Sequence, residues 1–174
     1  METQMQQETR IRLVSVDEIQ RNPFQPRRRF DQNRLQELAE SIRHSGLAQP
    51  ILLRPDDNGG LIQVFGERRV LAFKLLGKTE IPSLIQSMTP QQARELTAIE
   101  NLQRDDLTPI EEALSFKDLV ETCDGNISEA ARKVGKDNLY VARRLKLLML
   151  PQQVQDLIGD EKLPLGIALV LKRQ

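Results

Sequence analysis

Only one cysteine and one histidine occur in the 174 residues. Cys123 therefore has no partner for an internal disulfide, and with His44 as the sole imidazole a Cys/His zinc site is out of reach. A reducing cytoplasm is the expected setting. No apolar run approaches the length that crosses a bilayer, so no membrane segment is expected. Residues 1–9 are polar and Gln-rich and lack the basic start and apolar centre of a secretory signal, which leaves a frayed arm as their expected state. Glycine and proline, nine of each, are too few for a low-complexity chain, and 39% hydrophobic against 29% charged residues is the balance of a folded one. The length suits one large domain or two small ones.

Excess charge of either sign is also missing, because 25 basic and 25 acidic residues cancel, and this argues against a protein that coats DNA indiscriminately. The cancellation is not local. Residues 95–124 hold nine acidic side chains (Glu95, Glu100, Asp105, Asp106, Glu111, Glu112, Asp118, Glu121, Asp124) against Arg104 and Lys117, a net of minus seven. Residues 126–150 hold Arg132, Lys133, Lys136, Arg143, Arg144 and Lys146 against Glu129 and Asp137, a net of plus four. Such a concentration suggests one phosphate-facing surface; a solvated basic helix face accounts for the charge equally well.

The first half alternates strand and helix signals. Ile11, Leu13 and residues 14–16 read as a short strand, followed by a Pro-bounded loop at 22–27. Leu35, Leu38, Ala39 and Ile42 recur at helical spacing, with Asp31 or Asn33 as N-cap and Gly46 as the stop. Residues 51–54 and 61–65 are β-rich runs around the turn formers of 55–60, the pattern of a hairpin. A helix from Glu67 to Leu76, closed by Gly77, and a strand at 81–86 complete a small mixed α/β domain ending near Met88. The second half carries only helix signals. Thr89-Pro90 with Gln92 and Thr108-Pro109 with Glu111 are capping boxes, and Asn126 with Glu129 is a weaker third. The helix opened by Asn126 stops at Gly135. A second helix follows, with Val141, Leu145 and Leu148 inward, and runs to Pro151. Residues 152–158 and 165–172 add further helices. The expected class is α+β, with a first domain at 10–88 and an all-α domain at 89–174.

Two short helices joined at a glycine are the geometry that places the second in a DNA major groove. Here that helix presents Asn138, Leu139, Tyr140, Ala142, Arg143 and Lys146 outward. Arg143 and Lys146 suit phosphates or guanine edges and Asn138 suits adenine, so Lys136, Asn138, Tyr140, Arg143 and Lys146 form the expected DNA-facing set. An ordinary helical hairpin inside a bundle has the same spacing; the local charge favours DNA.

Gly66-Glu67-Arg68-Arg69 lies where a strand passes into a helix. Free backbone amides there attract anions, glycine permits close approach, and two arginines grip phosphate oxygens, so a polyphosphate is the fitting guest. Its charge calls for a metal, for which Glu100 and Asn101, followed by Arg104, supply oxygens enough for magnesium. Taken singly, an arginine pair at a helix start is more often a surface ion-pair partner, and Glu-Asn at a helix end more often plain cap chemistry.

Their joint order resembles the successive boxes of ParB partition proteins. The boxes are Asn-Pro-Phe-Gln-Pro-Arg at 22–27, Ser41-Ile42 with Gly46-Leu47-Ala48-Gln49-Pro50-Ile51, the segment 66–69, Ile81-Pro82, the run from Glu100 to Ala113, and Leu145-Lys146-Leu147-Leu148. The resemblance covers residues 11–171. It implies a ParB/sulfiredoxin-like first domain and a helix-turn-helix at about 126–150. It further implies a dimeric clamp that loads on double-stranded DNA at a parS-like site, binds CTP and Mg2+, closes, slides, and reopens with slow CTP hydrolysis. A ParA-type ATPase partner and a nucleoid location follow from the same likeness. Gln25, Arg27, Gly46, Leu47, Gln49, Pro50, Gly66, Glu67, Arg68, Arg69, Asn101 and Arg104 would contact nucleotide. Glu100 and Asn101 would sit at the metal, Gln25 and Glu67 would influence hydrolysis, and the acidic helix after Thr108 would be the hinge.

Three departures stand out. The family's Ser-Arg at the start of the recognition helix is Asp137-Asn138 here, and its Gly-His-Ala-Arg is Gly166-Ile167-Ala168-Leu169, so a divergent DNA site or weak DNA binding is expected. The family's C-terminal dimerisation domain is missing, which suggests a truncated form. Two competing classes remain: a DNA-bound transcriptional regulator whose nucleotide site has decayed, against which the intact 66–69 and 100–101 boxes speak, and an enzyme on the related sulfiredoxin-like scaffold. The latter needs a cysteine in the strand-to-helix loop, where this chain has Glu67; Cys123 lies far along the sequence.

Overall fold

The computed structural model describes residues 10–25, 31–104, 106–160 and 162–163. By contacts the chain divides into two compact units, Met1–Ala93 and Arg94–Gln174. Among the described residues no helix is long and apolar enough to cross a membrane. The expected arm at 1–9 and the helix expected at 165–172 lie outside the described residues.

The first unit is a five-stranded mixed sheet in the order β1-β5-β3-β4-β2. Its strands are β1 (Arg10–Ser15), β2 (Ile19–Gln20), β3 (Ile51–Pro55), β4 (Leu61–Phe65) and β5 (Glu80–Ile85). The expected hairpin is present: β3 and β4 pair antiparallel, with an irregularity between Leu52 and Leu53. Two-residue β2, which pairs parallel with β4, had no sequence signal. Helices α1 (Gln32–Ser45) and α2 (Glu67–Leu75) cover one sheet face, burying Leu35, Ile42, Val70 and Phe73 against Val14, Ile51, Leu53 and Ile81. The caps follow from short-range chemistry. The Asp31 carboxylate accepts from the Asn33 and Arg34 amides, and Gly46, at φ 75°, ends α1 with its amide donating to the Ile42 carbonyl. Alternation then splits the middle of β3: Ile51 and Leu53 face the helices, while Leu52 joins Val64 and Ala93 on the opposite side.

Helix α3 (Pro90–Leu102) starts at the expected capping box: the Gln92 amide donates to Thr89 Oγ1 (3.2 Å) and the Thr89 amide to Gln92 Oε1 (2.9 Å). In the second unit α4 (Pro109–Thr122) is the central element, with Ala113, Phe116 and Leu119 fully buried. Around it lie α5 (Ile127–Lys133), α6 (Asn138–Leu145) and α7 (Gln152–Gly159). Phe116 packs on Ala131 and Val141, Leu119 on Ala98 and Ala130, and Ala113 on Leu147, Leu150 and Ile158. One expectation needs correction. The second helix of the pair does not run on to Pro151 but ends at Leu145 and tightens into a 3₁₀ turn, Lys146–Met149. The tighter winding buries Leu147 fully, with Leu148 half-buried against the same cluster.

The capping box of α4 is complete: the Glu111 amide donates to Thr108 Oγ1, and the Thr108 amide donates to the Glu111 carboxylate. Thr108→Ala is expected to lower the unfolding free energy of the second unit by about 1 kcal/mol, with Thr108→Ser close to wild type, as read from denaturant midpoints.

Candidate functional site

In the first unit the topology gathers three of the expected segments. The chain enters β3 from Pro50, leaves β4 at Gly66 and leaves β2 at Arg21; because β3 and β4 are antiparallel and β2 and β4 parallel, all three points lie at one end of the sheet. Asn22 fastens the loop there. Its buried amide donates to the Val64 carbonyl (2.9 Å), and its Oδ1 accepts from the Phe24 amide (2.9 Å). Gln25 follows with its side-chain Oε1 buried and no hydrogen-bond partner on that atom. Arg27, the next expected contact, lies outside the described residues.

Gly66 meets two independent demands. At φ 101° its backbone is left-handed, and a Cβ would stand 2.6 Å from Ile51 Cγ2, so no other residue fits without displacing the sheet. The turn delivers the chain into α2, whose Arg69 amide returns to the Gly66 carbonyl (2.9 Å). Arg69 is held in place by the neighbouring segment, donating to the Pro50 carbonyl (3.1 Å) and to Gln49 Oε1 (2.8 Å). Arg68 donates to the Arg34 carbonyl (3.2 Å). Glu67 faces Arg21 at 2.7 Å, with the glutamate largely buried and the arginine exposed. Gln25, Gln49, Pro50 and residues 66–69 therefore surround one sheet end, with Gly46 and Leu47 just before them in the chain. Arg21 was missed, and Asn22 was read only as the first residue of the 22–27 motif; nothing in sequence shows that they bond Glu67 and Val64.

In the second unit Asn101 is almost wholly buried, with its Nδ2 lacking a partner, whereas its neighbour Glu100 is half-buried. Consecutive positions on α3 project about 100° apart, as 3.6 residues per turn require. Arg104 chelates Asp106 through Nε (3.1 Å) and an Nη nitrogen (3.3 Å). Among the described residues no group of three or more His, Cys, Asp or Glu could hold a metal ion. A metal at Glu100 and Asn101 would thus take most of its ligands from elsewhere, as magnesium does when it travels with phosphates.

The helix-turn-helix is α5, a turn in which Gly135 takes φ 65° and the Lys136 amide returns to the Ala131 carbonyl (2.9 Å), and α6. Ala130, Ala131 and Val141 are fully buried between them, as the small side chains required. Asp137 caps α6 through the Leu139 (2.6 Å) and Tyr140 (3.2 Å) amides. Arg143 and Lys146 are exposed, Lys146 from the 3₁₀ turn beyond the helix. Asn138 is exposed but donates to Ser128 Oγ (2.8 Å). Tyr140 does not face outward. Its ring meets Phe116 edge-on at 6.1 Å, and its hydroxyl donates to Glu112 (2.7 Å). Burial and the Glu112 carboxylate push that hydroxyl above its ordinary pKa, so it stays a donor at all physiological pH.

Glu112 also pairs with Arg144 Nε at 2.7 Å, both side chains being largely buried. Lys133 is tied to Glu95 at 2.5 Å, and that hydrogen bond raises its pKa. Of the six cations in the basic segment, Lys133 and Arg144 are thus engaged internally. Arg132, Lys136, Arg143 and Lys146 are exposed and make no ion pair among the described residues. They form the basic surface that the charge count anticipated.

A two-helix DNA-reading motif behind a small mixed α/β domain is a recognisable class, and the comparisons place the chain within it. A model of the ParB N-terminal domain matches residues 1–102, and one of the ParB HTH domain matches residues 105–174. The chain belongs to the ParB family. It is 42% identical over 151 residues to a nucleoid occlusion protein of Geobacillus thermodenitrificans, covering 87% of this chain and 54% of that one. It therefore spans about half the length of the curated relatives it matches. A crystal structure of C-terminally truncated ParB from Caulobacter crescentus complexed to the centromeric parS site is similar with TM-score 0.66 and 36% identity, covering 90% of this chain and 82% of that one. The same truncated ParB complexed with CTP-γ-S matches at TM-score 0.50 and 38% identity, over 91% and 89%.

Glu112→Ala would leave the largely buried Arg144 without its carboxylate and the Tyr140 hydroxyl, which accepts from Arg144, without an acceptor for its own proton. It is expected to cost about 2–4 kcal/mol by denaturant unfolding. Arg143→Ala, on the exposed side of the same helix, should stay within about 0.5 kcal/mol of wild type.

Proposed function

We propose that the chain is a CTP-dependent DNA-binding switch of the partition type, in which nucleotide at the first unit controls how the second unit engages duplex DNA. The observation that carries the reading is the meeting of Gln25, Gln49, Pro50 and residues 66–69 at one sheet end. A glycine cradle that a Cβ would fill, the positive end of a helix and two arginines suit a polyphosphate. The unpartnered Gln25 Oε1 suits a group that donates a hydrogen bond, which an exocyclic amine or a water can do. The relative complexed with CTP-γ-S supports cytidine as the base.

In this reading Arg68 and Arg69 hold phosphate oxygens, and residues 46–50, with Arg27, contact the nucleotide. Glu100, Asn101 and Arg104 serve Mg2+ and the phosphate chain, on the strength of their place in the family motif. The metal supplies charge neutralisation on the phosphates when bound. Gln25 and Glu67 influence slow hydrolysis, Glu67 being kept in place by Arg21. The DNA-facing residues are Lys136, Asn138, Arg143 and Lys146. The rest belongs to the proposal by kinship: self-association into a clamp, a parS-like duplex, an ATPase of the ParA type as partner, and residence on the nucleoid.

Arg69→Ala is expected to weaken CTP binding at least tenfold in calorimetry with Mg2+, since a charge-assisted fork to phosphate is lost; unchanged affinity would remove the 66–69 segment from the site. Replacing Arg143 and Lys146 together by Ala should lower duplex affinity and flatten the log affinity against log salt by about two phosphate contacts. A slope equal to wild type would move the DNA surface elsewhere.

A further inference from the structure

The start of α6 holds an apolar side chain where a groove-reading helix usually carries polar ones. Leu139 is its second residue, and 57% of its surface is exposed. A single exposed leucine is ordinary on any protein surface. Its surroundings are not. Asp137 is committed to the amides of Leu139 and Tyr140, the Asn138 amide to Ser128, and the Tyr140 hydroxyl to Glu112. The N-terminal turn of the second helix, which in this motif contacts base edges, thus offers one outward side chain not tied down within the unit. Leu139 lies one turn before exposed Arg143 on the same stripe of α6, and exposed Lys136 and Lys146 flank it at either end. Three exposed cations on and beside this helix, against the one carboxylate of Asp137, favour an anionic partner over an apolar one. A polyanion whose grooves present methyl groups fits well.

We infer that Leu139 is a specificity-determining residue that packs on the C5 methyl of a thymine in the major groove. The inference rests on the DNA-binding reading above and adds the base chemistry. The Asn138 amide nitrogen is engaged with Ser128, which leaves that side chain its Oδ1 for polar readout, and the step of the site facing Leu139 is read by apolar contact. Arg143, a turn further on, sets the register from a phosphate or a guanine edge.

The test uses the 174-residue chain and a duplex that it selects from a randomised pool. Each thymine of that duplex is replaced in turn by deoxyuridine, which removes only the methyl. Wild type should lose about three- to tenfold in affinity at one thymine position. Leu139→Ala should bind the unmodified duplex correspondingly more weakly and lose nothing more from that replacement, while Leu139→Met retains most of the sensitivity. Equal losses in wild type and Leu139→Ala, or none in either, would sink the inference while leaving DNA binding intact. If no sequence is enriched and every duplex binds equally, the inference falls while DNA binding stands; if no duplex binds at all, the DNA reading falls with it. A change of self-association in Leu139→Ala by sedimentation, with uridine losses unaltered, would assign the side chain to a protein contact and also overturn the proposal.

Discussion

The Glu112 carboxylate holds the second unit in working order. It accepts the Tyr140 hydroxyl and pairs with Arg144, two groups one turn apart on α6, and so fixes the rotation of that helix about its own axis. Rotation is what a recognition helix must control: with Tyr140 and Arg144 directed to α4, Leu139 and Arg143 have no direction left but outward. The arginine stacks on the tyrosine ring at 5.0 Å, which orients the guanidinium further. Removing one member of such a group is costlier than its net contribution suggests, because a partly desolvated charge is left behind.

The same logic explains the acidic segment. Much of its charge is consumed within the second unit: Glu95 on Lys133, Asp106 on Arg104, Asp118 and Glu121 on Arg94, Glu112 on Arg144. These pairs tie α3 to α4 and α5, and α4 to α6. Half-exposed pairs of this kind contribute little each, so their role is less stability than fixing which helix faces which. Any rearrangement of α4 would have to exchange the partners of Glu112, Asp118 and Glu121.

In the first unit the constraint is steric. Gly66 abuts Ile51 and turns left-handed, which brings the start of α2 against the entry to β3 and lets Arg69 reach Gln49 and Pro50. The sheet order then delivers the loop after β2 to the same end. The phosphate site proposed there would need few charged residues, because a helix start would do part of the binding.

Local chemistry was legible in the sequence. Both Thr-Pro capping boxes, the Asp31 cap, the hairpin around 55–60 and the glycine of the helix-turn-helix turn are specified by neighbours a few residues apart, and each forms as those neighbours dictate. The family boxes identified the ParB kinship for the same reason. What the tertiary structure alone decided is which surfaces those elements present. The run of leucines at 145–150 permits several windings, and only the pocket made by Ala113, Leu150 and Ile158 selects the 3₁₀ turn that buries Leu147. Tyr140 looked outward by spacing and is inward because Phe116 and Glu112, more than twenty residues away, claim it. Charge can be counted along a chain, but whether a cation meets solvent or an acidic partner depends on distances that only folding sets.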